Sequence, residues 1–232
     1  MSKPRIGITK PISGDWFVYL ALSLAVRLGG GRPVILSERH RRTPSDIDGL
    51  LLSGGYDVNP HLYEGRVDPK KRYDNGRDEL EMAWARHCWK NGVPILAICR
   101  GCQLLNVSRG GDILQKIDPD ILKTYPTGPL GYVLYRKSIE IIENSRLAKV
   151  TGHTVLNVNS LHRQAVRRTG NGLMISARES HGGIQAIEAE DNRFVLGVQF
   201  HPELLIYRRH MREIFRCFVA ASAAHRDAPV QA

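Results

Sequence analysis

The sequence predicts an α/β fold: a mostly parallel central sheet with helices on both faces and antiparallel additions in its C-terminal half. Three observations carry this. Short apolar runs alternate with helical stretches over the first half. Several of those runs are apolar at every position, as in strands buried on both faces. After Lys137 the pattern changes to strand-like pieces separated by turns.

In chain order, Arg5 to Thr9 (RIGIT) reads as the first strand, and Asp15 to Leu28 as an amphipathic helix closed by Gly29-Gly30-Gly31. Pro33 to Leu36 and Asp48 to Ser53 read as the next strands, the latter stopping at Gly54-Gly55. Tyr56 to Arg77, rich in Pro, Asp, Gly and Tyr, reads as a long loop of the kind that is usually functional. Asp78 is expected to cap a helix reaching Lys90. The strand Pro94 to Ile98 and a helix from Gly101 to Arg109 follow, ended by Gly110-Gly111. In the second half, strands are expected at Ser138–Ile142, Val155–Val158, Leu173–Ala177, Ile184–Ala189 and Phe194–Phe200, then a helix from Leu205 to Ala224. Residues 1–224 read as a single domain, and His225 to Ala232 as a disordered tail.

Composition narrows the class. The chain has 232 residues, 42% of them hydrophobic and 24% charged, enough for one sizeable core. No run approaches the ~18 apolar residues of a membrane span, and the N-terminus lacks a signal-peptide core, so a cytoplasmic protein without a membrane partner is expected. The four cysteines (Cys88, Cys99, Cys102, Cys217) read as reduced thiols. The net charge of +10 would suit a nucleic acid, but the basic residues are scattered and no aromatics interleave them. A solvated basic surface and no nucleic-acid partner are expected.

The stretch PILAICRGCQLLNVSRGG, Pro94 to Gly111, carries the chemistry. Ligands of open parallel sheets bind beyond the carboxyl ends of the strands, and Cys99 sits at that edge. There the helix N-terminus favours thiolate, the attacking form, and the backbone N–H of Arg100 points where an oxyanion would form. The amide of Gly55, at the other Gly-rich strand end, is the candidate second donor. Downstream, VLGVQFHPE runs a buried strand into His201 and Glu203, two residues apart, so the carboxylate can orient the imidazole across Pro202.

These runs, with LLLSGGYDVNPHLYEG and VNSLHRQAV, resemble the class I glutamine amidotransferase-like superfamily, in its peptidase C26 branch, which includes gamma-glutamyl-gamma-aminobutyrate hydrolase. The resemblance covers nearly the whole chain and implies a flavodoxin-like three-layer sandwich. It implies Cys99 as nucleophile, His201 as general base and acid, and Glu203 as its orienting carboxylate. Backbone amides of Gly55 and Arg100 would form the oxyanion hole, and Gln103 would contact the glutamyl group. Asn159, Ser160, Leu161 and His162 would line the pocket, and the Arg77-Asp78 pair would brace the loop near it. The implied reaction hydrolyses a gamma-glutamyl amide through a gamma-glutamyl thioester, with no metal or organic cofactor.

Two features depart from that pattern. Cys102 stands where the family has an apolar residue, giving a CxxC that also suits a redox dithiol. Asp118 to Arg136 lacks the His-containing segment of the hydrolase branch, which leaves the leaving amine open. The expected partner is a small gamma-glutamyl amide or glutamine, with a homodimer allowed. The alternatives are a glutaminase subunit delivering ammonia to a separate synthetase, and a non-catalytic or redox-regulated binding protein on the same scaffold.

Overall fold

The computed structural model describes residues 2–10, 16–40, 42–117, 135–160 and 162–228, and is organised around a nine-stranded sheet. In spatial order its strands are β2 (Arg32–Leu36), β1 (Arg5–Thr9), β3 (Gly49–Leu52), β4 (Ile95–Ile98), β11 (Val195–Val198), β10 (Ile184–Ala189), β9 (Leu173–Glu179), β6 (Lys137–Ile141) and β7 (Val155–Val158). The first five run parallel and the other four join antiparallel; the change of pattern at Lys137 predicts those four, whereas β11, read among the antiparallel additions, completes the parallel set. Long-range pairing joins the two halves. β11 returns from far along the chain to lie parallel to β4, Leu196 beside Leu96 and Val198 beside Ile98.

Side chains alternate across each central strand and so build two cores. Leu51, Leu96, Ile98, Leu196 and Val198 meet helices α1 (Trp16–Leu28), α4 (Arg146–Thr151) and α5 (Arg209–Asp227) on one face. Leu50, Leu52, Ile95, Ala97 and Val195 meet α2 (Asn75–Lys90) and α3 (Arg100–Ser108) on the other. Two-sided burial explains why these strands read as unbroken apolar runs. The result is the expected three-layer sandwich.

Several expectations need correction. Helix α2 begins at Asn75 rather than Asp78, because the Asp74 carboxylate accepts the Arg77 N–H at 3.1 Å and caps the helix earlier. Asp78 is thereby carried into the first turn and buried. The long loop holds a 3-10 turn, Pro60–Tyr63, capped by Asn59. Strands β5 (Asp112–Leu114) and β8 (Ala165–Arg168) pair in a small antiparallel ladder too short to read by periodicity. The short helix α4 is a further addition to the expected elements; Ser145 caps it and left-handed Gly152 ends it.

Helix α5 starts at Arg209, not Leu205, because Pro202–Leu205 forms a separate 3-10 turn. It runs to Asp227, into the expected tail, whose last residues, 229–232, lie outside the described ones. So do Asp15, the expected start of α1, and residues 118–134 of the segment that departs from the family pattern. Finally, α1 is not amphipathic, since its outer arc is as apolar as its inner one. Among the described residues no helix is long and apolar enough to cross a membrane.

Candidate active site

The carboxyl ends of β3, β4 and β11 lie side by side and deliver Ser53-Gly54-Gly55, Cys99 and His201 to one sheet edge. Cys99 stands between β4 and α3 with φ 53° and ψ −107°, a region that side chains rarely occupy. Neighbours hold it there. Its N–H donates to the Val198 carbonyl at 2.8 Å, and at Gly101 any Cβ would run into the Leu52 carbonyl. The partly buried thiol lines a cavity of about 450 Å³ together with Gly55, Arg100, Gln103, His162 and Gln164.

His201 is fixed from both sides. Asn159 accepts its N–H at 2.7 Å and donates to its carbonyl at 2.9 Å, while Nδ1 meets Glu203 Oε1 at 2.7 Å. Nε2 is then the nitrogen left for the thiol. Burial disfavours the charged imidazolium, but Glu203, followed by Cys99, outweighs it and holds the His201 pKa well above the usual histidine range. The ring packs against Gly54, where an added Cβ would lie 3.0 Å from Cε1.

The expected oxyanion donors are set by a buried ion cluster, of which the resemblance supplied Arg77 and Asp78 but not Glu81 or the Arg100 side chain. Arg77 donates through Nη2 to the Gly54 carbonyl at 2.7 Å, to the Ser53 carbonyl at 3.2 Å and to Ser53 Oγ at 2.9 Å. Its Nε donates to Glu81 at 2.7 Å, and Arg100 pairs with both Glu81 and Asp78. Two guanidiniums and two carboxylates thus balance. Burial opposes ionisation of Glu81, yet Arg100 and Arg77 hold it below the usual carboxylate range. For Asp78 burial prevails over Arg100 and pushes the carboxyl up. In a trans peptide the N–H lies opposite the carbonyl, so anchoring Gly54 O on Arg77 turns the Gly55 N–H the other way. Gly55 itself, at φ 149°, has no room for a Cβ beside Arg77. Charged residues at the start of one helix ordinarily read as solvated, and nothing local tells that Arg100 of another helix will meet them.

The remaining expected residues divide. Gln103 lines the cavity, but its amide N–H groups go to Gln164 O and Gln199 Oε1, each at 3.1 Å, which leaves Oε1 for a ligand. Gln199, which sequence reasoning missed, donates to Cys99 Sγ at 3.6 Å. Asn159 supports the His201 backbone, Ser160 is fully buried, and Leu161 lies outside the described residues. His162 lines the cavity, donating from Nδ1 to Gln164 O at 2.8 Å, with Lys137 Nζ 3.3 Å from Nε2. Burial and then Lys137 lower its pKa to about 3, so this histidine is neutral. Arg72 and Arg163 add positive charge to the cavity wall, where Lys71 and Asp57 pair with each other at 2.5 Å.

All four cysteines are free thiols. Cys102 points from α3 into the sheet against Gly197, and burial, then Cys99, pushes its thiol up. It is a packing residue on this geometry. Among the described residues no group of three or more His, Cys, Asp or Glu could hold a metal ion.

Known proteins share both the sequence and the fold. The chain is 33% identical over 234 residues to a candidate glutamine amidotransferase of Schizosaccharomyces pombe, covering 97% of this chain and 89% of that protein. It is 34% identical over 188 residues to the gamma-glutamyl-gamma-aminobutyrate hydrolase of Escherichia coli, covering 77% and 73%. Among solved structures, a glutamine amidotransferase from Thermotoga maritima shares the fold with a TM-score of 0.66 at 12% identity, covering 98% of this chain and 100% of that one. The glutaminase domain of Trypanosoma brucei CTPS, with bound acivicin, gives 0.63 at 20% identity, covering 95% and 94%. The Peptidase C26 family model matches residues 14–203, a span that holds Cys99, His201 and Glu203, and the chain belongs to the peptidase C26 family.

Proposed function

We propose that this protein hydrolyses gamma-glutamyl amides, with Cys99 as nucleophile, His201 as general base and acid, and Glu203 as orienting carboxylate. The observation that carries the reading is the meeting of Cys99, in its positive-φ turn, with the His201–Glu203 pair at the ends of adjacent strands. The Cys99 sulfur attacks the gamma-carbonyl carbon with its proton already held on His201 Nε2. Negative charge on the carbonyl oxygen is received by the N–H groups of Gly55 and Arg100. Collapse expels the amine, protonated by His201, and leaves a gamma-glutamyl thioester. Water, deprotonated by the same imidazole, then releases glutamate and the free thiol.

The positive charge of Arg72 and Arg163 on the cavity wall suits carboxylates, including that of an aminobutyrate-like leaving amine. A second reading, a glutaminase that supplies ammonia to a separate synthetase, is favoured by the likeness to the S. pombe candidate glutamine amidotransferase. Steady-state glutamate release from glutamine and from a panel of gamma-glutamyl amides separates them. Turnover of one amide far above glutamine is expected, with Cys99→Ala lowering kcat by on the order of 10³. Turnover equal to that of Cys99→Ala on every substrate would overturn the stand-alone reading.

A further inference from the structure

Helix α1 lies on the outside of its layer, packed on β1, β2 and α5, and turns Leu22, Ala25 and Val26 inward. Its outer side should therefore be polar. Instead Trp16, Phe17, Leu20, Leu24 and Leu28 are between 51% and 74% exposed. At about 100° per residue these five and Arg27 fall within one arc roughly 120° wide. Arg27 is the helix's only charged residue. A helix apolar on both faces is ordinarily covered on both.

From typical side-chain areas the strip presents roughly 600 Å² per chain, at the upper limit of what monomers expose. Its order along the helix is also self-complementary. About a two-fold axis at the level of Leu22, Leu20 faces Leu24, Phe17 faces Arg27 and Trp16 faces Leu28. The lone cation then lands on an aromatic ring, and the two helix dipoles run antiparallel. We propose that α1 is the interface of a two-fold homodimer, packed antiparallel against α1 of a second copy. Two strips bury roughly 1,200 Å² together, above the ~1,000 Å² that a specific interface needs. The proposal is independent of the chemistry assigned to Cys99.

Sedimentation equilibrium of the full chain at micromolar concentration tests it. The expected mass is twice the 26.0 kDa of one chain. Leu20→Glu and Leu24→Lys each weaken self-association at least ~100-fold while the circular dichroism stays unchanged. Mixing the two variants restores the dimer, since antiparallel pairing sets the carboxylate introduced in one copy against the ammonium introduced in the other. Should either variant fail to fold, Leu20→Ser and Leu24→Ser give the same weakening without charge. A monomeric wild type overturns the proposal, as does a dimer that these substitutions leave intact. Flotation of a monomeric wild type with anionic lipid vesicles would also overturn it, assigning the strip to a membrane surface instead.

Discussion

The two walls of the site are braced in opposite ways. Behind Cys99, Arg77, Asp78, Glu81 and Arg100 form a buried ion cluster that clamps the Ser53-Gly54-Gly55 turn. Behind the imidazole, Asn159 holds the backbone of His201, and Gln199 and Gln103 link the helix to the strand through neutral amides. The difference follows from what each wall must do in the proposed reaction. The turn has only to stay in place, so ion pairs can lock it. His201 must gain and lose a proton, and neutral neighbours let Glu203 and Cys99 set its charge.

Breaking the charged wall has the largest expected effect. Arg77→Met leaves Glu81 short of a partner and frees the Gly54 carbonyl, and costs about 3–5 kcal/mol in stability. Urea denaturation measures this, and a loss below about 1 kcal/mol would mean that Arg100 alone can satisfy the buried carboxylates. On the neutral wall, Glu203→Gln costs about 1.5–3 kcal/mol, and this cost depends on pH. The folded His201 pKa is raised, so its contribution is complete below pH ~6.5 and disappears as pH rises through the folded value. The gap in Tm between wild type and variant should therefore be wider at about pH 6 than at about pH 10.

His162 sharpens the contrast with the opposite sign. Its folded pKa is lowered to about 3, so the unfolded chain binds the extra proton and stability falls as pH drops from 6.5 toward that value. The slope is at most ~1.4 kcal/mol per pH unit, and His162→Gln should remove it from the acid limb of the stability profile. An unchanged limb would show that the ring is charged in the native state. Lys137 and Glu179, paired at 2.8 Å beside it, remain as they are in both proteins.

Much of the architecture was legible along the chain, because strands buried on both faces must be apolar at every position and helices between them must cap and stop. Ile95 to Ile98, Cys99 and the Gly101 that follows announce themselves through that contrast, and so does His201 after Val195 to Val198. Local rules failed where tertiary contacts decide. The ladder of β5 with β8 and the helix after Ser145 are too short for periodicity, and Asp78 reads as a cap until Asp74 takes the role and Arg100 claims its carboxylate.

By itself the sequence determined the layered α/β class, the parallel-to-antiparallel change and the three residues whose types suit nucleophile, base and orienting acid. Only the tertiary structure decided that β11 lies beside β4, that Gln103 spends its amide hydrogens within the protein, and that Arg77 turns the Gly54-Gly55 peptide. The physical reason is range. Hydrophobic period, caps and turns are written between near neighbours. A buried charge or amide is meaningful only once distant segments have closed around it, as Arg77 does with Ser53, 24 residues away, and Gln199 with Cys99, 100 residues away.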